Sequence, residues 1–264
     1  MKALHVAVAL APLLVSCVGT TGGEIITFQA AAAGPSDAKA GQPFAFVTDL
    51  GWNVVLSTAT LHVGAVYLNR SAPVSGVGVT SCILPGTYVA EVTDGRDVDL
   101  LSAVAQPFPG PGVGATQPPA IVGQVWLTNV EIDKQDDTKP ILQLEGTAAK
   151  DGDSRPFKGS ISIGKNRAVA NADATQAGAY PICKERIVSP IATSITLKTS
   201  GELLLRIDPR KFFVNVDFAS LPPAADGFAF TDVASPMDQA SRNLYAQLHA
   251  ATNSNSPYSF EWVP

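Results

Sequence analysis

Apolar residues along this chain recur mostly at every second position, in short runs broken by Gly, Pro, Asn and Asp. That period places alternate side chains on opposite faces of a strand. Residues Glu24 to Gln29 read as an opening strand, closed by Gly34-Pro35. Across residues 44–70 the apolar set starts on even positions, at Phe44, Phe46, Trp52, Val54 and Leu56. After Ser57 it moves to odd positions, at Ala59, Leu61, Val63, Ala65 and Tyr67. Such a flip requires a turn or a β-bulge near Ser57, because one extra residue sends every following side chain to the other face. Residues 86–92, 97–101 and 121–132 predict further strands. Leu142, Leu144 and Gly146, followed by Phe157, Gly159, Ile161 and Ile163, predict a hairpin that turns at residues 150–154. Ile195 to Leu197 with Leu203, Leu205 and Ile207 predict a second one, turning at residues 198–201. Residues 212–218 read as strand or extended loop. A final strand, Tyr258 to Val263, carries Phe260 and Trp262 on one face.

One segment departs from this pattern. Ser235-Pro236-Met237-Asp238 offers a capping serine, a proline at the first helical position and an acid in the first turn. Met237, Leu244, Leu248 and Ala251 then share a helical face. Residues 105–120 hold five prolines, and proline has no N–H for a sheet interior, so they predict an exposed loop. The pattern as a whole predicts a mainly β fold: an antiparallel β-sandwich or open barrel with one short C-terminal helix. Trp52, Trp126 and Trp262 fall in strands and are expected to pack in the core.

Composition narrows the class. Hydrophobic residues make up 46% of the 264 positions, too many for a disordered chain even though charged residues reach only 16%. The net charge of −5 gives no electrostatic reason to bind nucleic acid or an anionic bilayer surface.

The first residues carry the strongest motif. Lys2 is the one Lys, Arg, Asp or Glu before Glu24, and Ala3 to Val15 is apolar apart from His5. That run is shorter than the roughly 20 residues a spanning helix needs, and with its basic start it reads as a secretory signal. Its end, Leu14-Val15-Ser16-Cys17, resembles the lipobox of bacterial lipoproteins. The resemblance implies cleavage before Cys17, diacylglycerol on its thiol and an acyl chain on its new amine. Two or three chains, at about 0.8 kcal/mol per buried methylene, would hold the protein on a membrane. Val18 is not acidic, which in the enterobacterial version of the family favours the outer over the inner membrane. The expected organisation is a signal peptide at 1–16, a lipidated cysteine and flexible tether at 17–23, and one β-rich domain at 24–264 with the loop at 105–120 as an insertion.

Setting Cys17 aside leaves Cys82 and Cys183 as a pair in an exported chain, where disulfides persist. A Cys82–Cys183 bridge would close a loop of about 100 residues and contribute about 4–5 kcal/mol on chain-entropy grounds. Two buried thiols, or a soft metal site without CxxC spacing, are the alternatives.

No nucleophile elbow, HExxH, P-loop or dinucleotide fingerprint occurs, so no enzyme activity is expected. His62 and His249 are the metal candidates, and neither has ligand-spaced partners in sequence. Met237 and His249 are about 18 Å apart along one helix, too far to share an ion. Asp133 to Asp137, Asp151-Gly152-Asp153 and Asp94 to Asp97 match turn chemistry better than calcium ligation. Asn69-Arg70-Ser71 matches a glycosylation sequon, without meaning in a bacterium.

Residues 51–68 (GWNVVLSTATLHVGAVYL), 86–92 (GTYVAEV) and 206–221 (RIDPRKFFVNVDFASL) resemble uncharacterised predicted lipoproteins of myxobacterial type, a group that brings no activity. A looser resemblance is to periplasmic copper-binding lipoproteins built as β-sandwiches, whose His and Met ligands have no matching set here. The function expected is a lipid-anchored envelope protein that binds a protein or small molecule without catalysis and without a cofactor beyond its own lipid. The alternative is a copper-type metal-binding protein using His62.

Overall fold

A computed structural model describes residues 22–72, 87–128, 140–162, 186–232, 237–251 and 255–264. Strand β1 (Ile25–Ala33) leads to β2 (Phe44–Val47) and β3 (Asn53–Val63). The chain continues through β4 (Ala65–Asn69), β5 (Tyr88–Val92), β6 (Arg96–Asp99), β7 (Gln106–Pro107), β8 (Gly112–Ala115) and β9 (Ala120–Trp126). Next come β10 (Leu142–Lys150), β11 (Asp153–Ile161), β12 (Ile187–Ile195) and β13 (Glu202–Ile207). Two 3₁₀ turns (Pro209–Phe213 and Phe218–Ser220), β14 (Pro223–Ala224), β15 (Gly227–Phe230), helix α1 (Gln239–Leu248) and β16 (Tyr258–Val263) complete it. The fold is mainly β with one short C-terminal helix, and no helix among the described residues is long and apolar enough to cross a membrane.

The strands form two sheets. The larger runs β12-β9-β4-β5-β8-β1-β13-β16, with β7 also on β1. It is antiparallel except for the β1–β13 pair, and it curls until β16 meets β12, giving a nearly closed barrel. The second runs β14-β15-β11-β10-β3-β2, with β6 also on β3. One hydrophobic cluster joins both sheets, from Val66, Val125 and Leu205 in the first to Leu56, Leu144 and Phe157 in the second.

The parity flip is a bulge inside one strand. Glu145 faces Thr58 and Gly146 faces Leu56, so Ser57 has no partner in β10. Val54 and Leu56 point inward before it, Ala59, Leu61 and Val63 after it. The first hairpin is β10–β11. Asp151 and Gly152 take φ of 51° and 85°, both in the left-handed region that a two-residue type I′ connection requires.

Other expectations are corrected. The second hairpin does not form: β12 pairs with β9, while β13 pairs with β1 and β16. Leu197 is buried and the intervening chain carries β13 away to a place between β1 and β16. Residues 212–218 hold 3₁₀ turns rather than a strand, each capped by the aspartate before it. Asp208 accepts from the Arg210 N–H at 3.0 Å and Asp217 from the Ala219 N–H at 3.0 Å. Those turns deliver Phe213 and Phe218 to a ring cluster with Phe157 and Phe230. The 105–120 segment is not a loop throughout. Its proline-free stretch forms β8, held between β1 and β5. Gly114 is required there, since a Cβ would sit 2.6 Å from the Ala90 methyl and from Leu197.

Helix α1 starts at Gln239, one residue past Asp238. The Asp238 carboxylate is its cap, accepting from the Ser241 N–H at 2.7 Å, while the expected capping Ser235 lies outside the described residues. Leu244 and Leu248 are buried as the helical face predicts.

Candidate functional site

Beyond the bulge, the even positions of β3 point away from the core. His62 faces Asp97 of β6 across the ladder, and its Nδ1 lies 2.7 Å from the Asp97 carboxylate. Asp97 is largely exposed, so this pair is worth at most about 1 kcal/mol as an ion pair. His249 ends the helix. Its Nδ1 lies 2.8 Å from the Tyr245 carbonyl and its ring packs on Tyr245. The two histidines thus engage different partners on different elements. Among the described residues, no three His, Cys, Asp or Glu side chains group so as to hold a metal. Cys17, Cys82 and Cys183 lie outside the described residues, as does the Asp133–Asp137 run.

The same outer face carries two open grooves that meet at Thr58. One, of about 520 Å³, crosses the rows Thr58–Glu145–Lys158 and Gln143–Ser160. The other, of about 390 Å³, sits where the bulge leaves a gap between β2 and β6, beside Ser57, Thr60 and Asp99. Their linings offer hydroxyls, two amides and carboxylate and ammonium groups, with no imidazole or thiol.

The barrel sheet presents a different arrangement. Alternation puts Ala65, Tyr67 and Asn69 of β4 on its outer side, level with Trp126, Gln124 and Val122 of β9. Glu91 and Tyr88 of β5 flank them. On the far side, Ser189 lies opposite Gln124, in the bulge where β12 passes from Val188 to Ile191. None of these belongs to the main apolar cluster, yet Asn69 and Gln124 are wholly buried. Both amide atoms of Asn69, the Gln124 Nε2 and the Ser189 Oγ have no hydrogen-bond partner. They are four of the seven such buried side-chain atoms among the described residues, gathered on three adjacent strands. A buried polar group without a partner costs roughly 1–3 kcal/mol, so this group of them weighs against the stability of the fold.

Aromatic rings wall this face. Tyr67 packs between Trp126, at 4.6 Å between centroids, and Tyr88, at 5.2 Å. The Trp126 indole donates to the Gln124 Oε1 at 3.3 Å, which turns the Gln124 NH₂ away from the tryptophan. Burial first, then the Glu91 carboxylate, raises the Tyr67 hydroxyl from 10.0 to about 12, so it stays a proton donor at neutral pH. Trp126, Tyr88 and Glu91 are partly exposed and form the rim.

Sequence reading missed this face. Asn69 stood out only as a sequon, and Gln124 not at all. A usable signal was present: an amide in each of two otherwise apolar strands, Asn69 at the end of Ala65–Asn69 and Gln124 inside Ala120–Trp126.

Neither protein-family models nor curated proteins give a match to the chain. Among solved structures it is similar to MbnP from Methylosinus trichosporium, at 12% identity, with a TM-score of 0.42 over 90% of this chain and 98% of that one.

Proposed function

We propose that this protein is a non-catalytic binding module, held at the bacterial cell envelope by lipid on Cys17, that takes a small polar ligand at the Asn69–Gln124–Ser189 face. The observation that carries the reading is the concentration of unpaired buried polar atoms there. Groups that cost stability in the free protein are what a ligand must find in order to bind specifically.

A stability measurement tests this without knowledge of the ligand. Asn69→Leu keeps the number and branching of side-chain heavy atoms and removes an unpaired donor and acceptor, so it should stabilise the free protein by roughly 1–3 kcal/mol in urea unfolding. Destabilisation would mean that Asn69 holds the fold together and would overturn the reading. The anchor has a separate test: Cys17→Ser should release the protein from the membrane fraction or leave it unprocessed, and unchanged lipid labelling would refute it.

The 2.7 Å His62–Asp97 pair favours a second reading, a metal bound through His62. It predicts a stoichiometric ion in protein purified without a His-tag, lost on His62→Ala; metal-free protein removes it.

A further inference from the structure

We infer that the end of the barrel where β1 begins docks on the lipid surface, seated by the exposed side chains of Ile25, Ile121 and Val263. The inference rests on the lipid at Cys17 proposed above. Three observations converge on this end.

The first is the short reach from the lipid to the barrel. Glu24 is fixed on the barrel rim: its N–H donates to the Thr116 hydroxyl at 3.1 Å, and its carbonyl accepts from the Thr116 N–H at 2.9 Å. Gly23 packs against Gln117 so closely that a Cβ would lie 2.3 Å from the Gln117 nitrogen. Gly23 is the sixth residue after Cys17, and six residues span at most about 22 Å when fully stretched. Strand β1 then runs nine residues away from this point, about 30 Å along the strand. Turning the barrel over would carry Gly23 a strand's length from the bilayer, beyond that reach. Strand pairing gathers the start of β1, the end of β4, the start of β9, the chain before β13 and the end of β16 at the tethered end.

Exposure is the second. Ile25 is 52% exposed, Ile121 51% and Val263 39%, and they stand on three different strands of this end. A single exposed apolar residue is ordinary. Three around the exit of a lipid tether are held where a bilayer can cover them. The third is polarity. Thr27, Gln29 and Glu261 alternate with buried residues on the outer side of β1 and β16 and are exposed. A barrel lying on that side would press them into lipid, whereas standing on its end keeps them in water. Among the described residues this end carries Glu24, Glu202, Arg70 and Lys198, two of each sign. The net acidity of the chain is therefore not turned toward the headgroups, and the contact is apolar rather than electrostatic.

The test places a tryptophan at each of three exposed positions of the mature, lipidated chain. Ile25→Trp and Ile121→Trp probe the rim. Val47→Trp is the control, on the second sheet near Asp49, which accepts from the Asn215 N–H past the opposite end of β13. Each protein is reconstituted into phosphatidylcholine vesicles with and without bromine on the acyl chains, and the parent's own tryptophan emission is subtracted. A docked side chain sits about 5–10 Å into the headgroup boundary, so brominated lipid should remove roughly half or more of the added emission at both rim positions. The Val47→Trp emission should not change, and the urea midpoints of all three should match the parent's. Quenching that includes Val47→Trp, or that spares either rim position in a folded variant, overturns the inference. Flotation of the same vesicles separates the two readings. Protein that floats without rim quenching keeps its anchor and loses the docked face; protein that does not float has lost the anchor and the docked face with it.

Discussion

Replacing Gly123 with alanine tests whether the barrel closes as described. Gly123 sits mid-strand in β9, laddered to Leu68 of β4 and Ile191 of β12. Its backbone is extended, so alanine fits the conformation and should stabilise by about 0.4–1 kcal/mol through the unfolded chain. The new methyl carbon, however, would lie 2.1, 2.5 and 2.9 Å from three ring atoms of Phe260 on β16, the last strand of the same sheet. Phe260 is itself buried, and its rigid ring cannot swing clear as a flexible chain end would. Overpacking of this kind costs about 1–3 kcal/mol, so the clash outweighs the entropy gain. Gly123→Ala should therefore destabilise by about 1–2 kcal/mol, lowering the midpoint by roughly 2–8 °C for a domain of this size.

The partner is identified by a double-mutant cycle. Phe260→Leu alone removes ring carbons and should cost about 1–2 kcal/mol. Combined with Gly123→Ala, the leucine makes room for the methyl, so the pair should be less damaging than the sum by more than about 0.5 kcal/mol. Urea unfolding of the four proteins supplies every number needed. A stabilised Gly123→Ala, or strict additivity in the cycle, would refute the contact between β9 and β16 and with it the closed end of the barrel.

Three further outcomes follow from local geometry. Deleting Ser57 removes the bulge and turns Ala59, Leu61 and Val63 to the outer face, so the near-ultraviolet dichroism of folded protein should vanish, whereas Ser57→Ala should stay within about 0.5 kcal/mol of the parent. Asp238→Ala should cost about 1–2 kcal/mol in denaturant unfolding, since that carboxylate caps α1 and also accepts from the Thr231 and Ser241 hydroxyls. The Tyr67 hydroxyl is raised to about 12 in the fold, so its contribution is complete below pH 10 and is lost as pH climbs through about 12. Unfolding free energy should fall by about 2 kcal/mol from this group over that interval. Tyr67→Phe should make the alkaline decline shallower without abolishing it, because burial also raises Tyr88 and Tyr258.

Where sequence and fold agree, the cause is local. The Asp151-Gly152 turn lies between two alternating runs and needs no distant partner to be recognised. The bulge at Ser57 is written in the parity of its flanks. Features that depended on pairing were not legible. Ile195 and Leu203 look like the two sides of one hairpin, yet their strands join different neighbours, and nothing in either run names those neighbours. The β8 strand has the same origin: Gly112 and Gly114 resemble loop residues until Phe28, Ala90 and Leu197 are seen against them.

Asn69 shows why a functional face can be harder to read than a core. Odd positions from Ala59 to Tyr67 are apolar without interruption, which suggests one inward face running to Asn69. At Gly64 the chain leaves the second sheet for the barrel, its N–H bonding to the Trp126 carbonyl. Beyond that point the odd positions point out of the barrel, while Val66 and Leu68 take over the core. Tyr67 and Asn69 are therefore buried on an outer face, where apolar character no longer marks the core. If burial on that face served packing alone, leucine or valine would do it at lower cost than an unpaired amide. The amides of Asn69 and Gln124 and the hydroxyl of Ser189 come from three strands that meet through pairing distant in sequence, so their convergence belongs to the fold rather than to any one segment. That convergence is the ground for the proposed face and makes Asn69 its most informative residue to change.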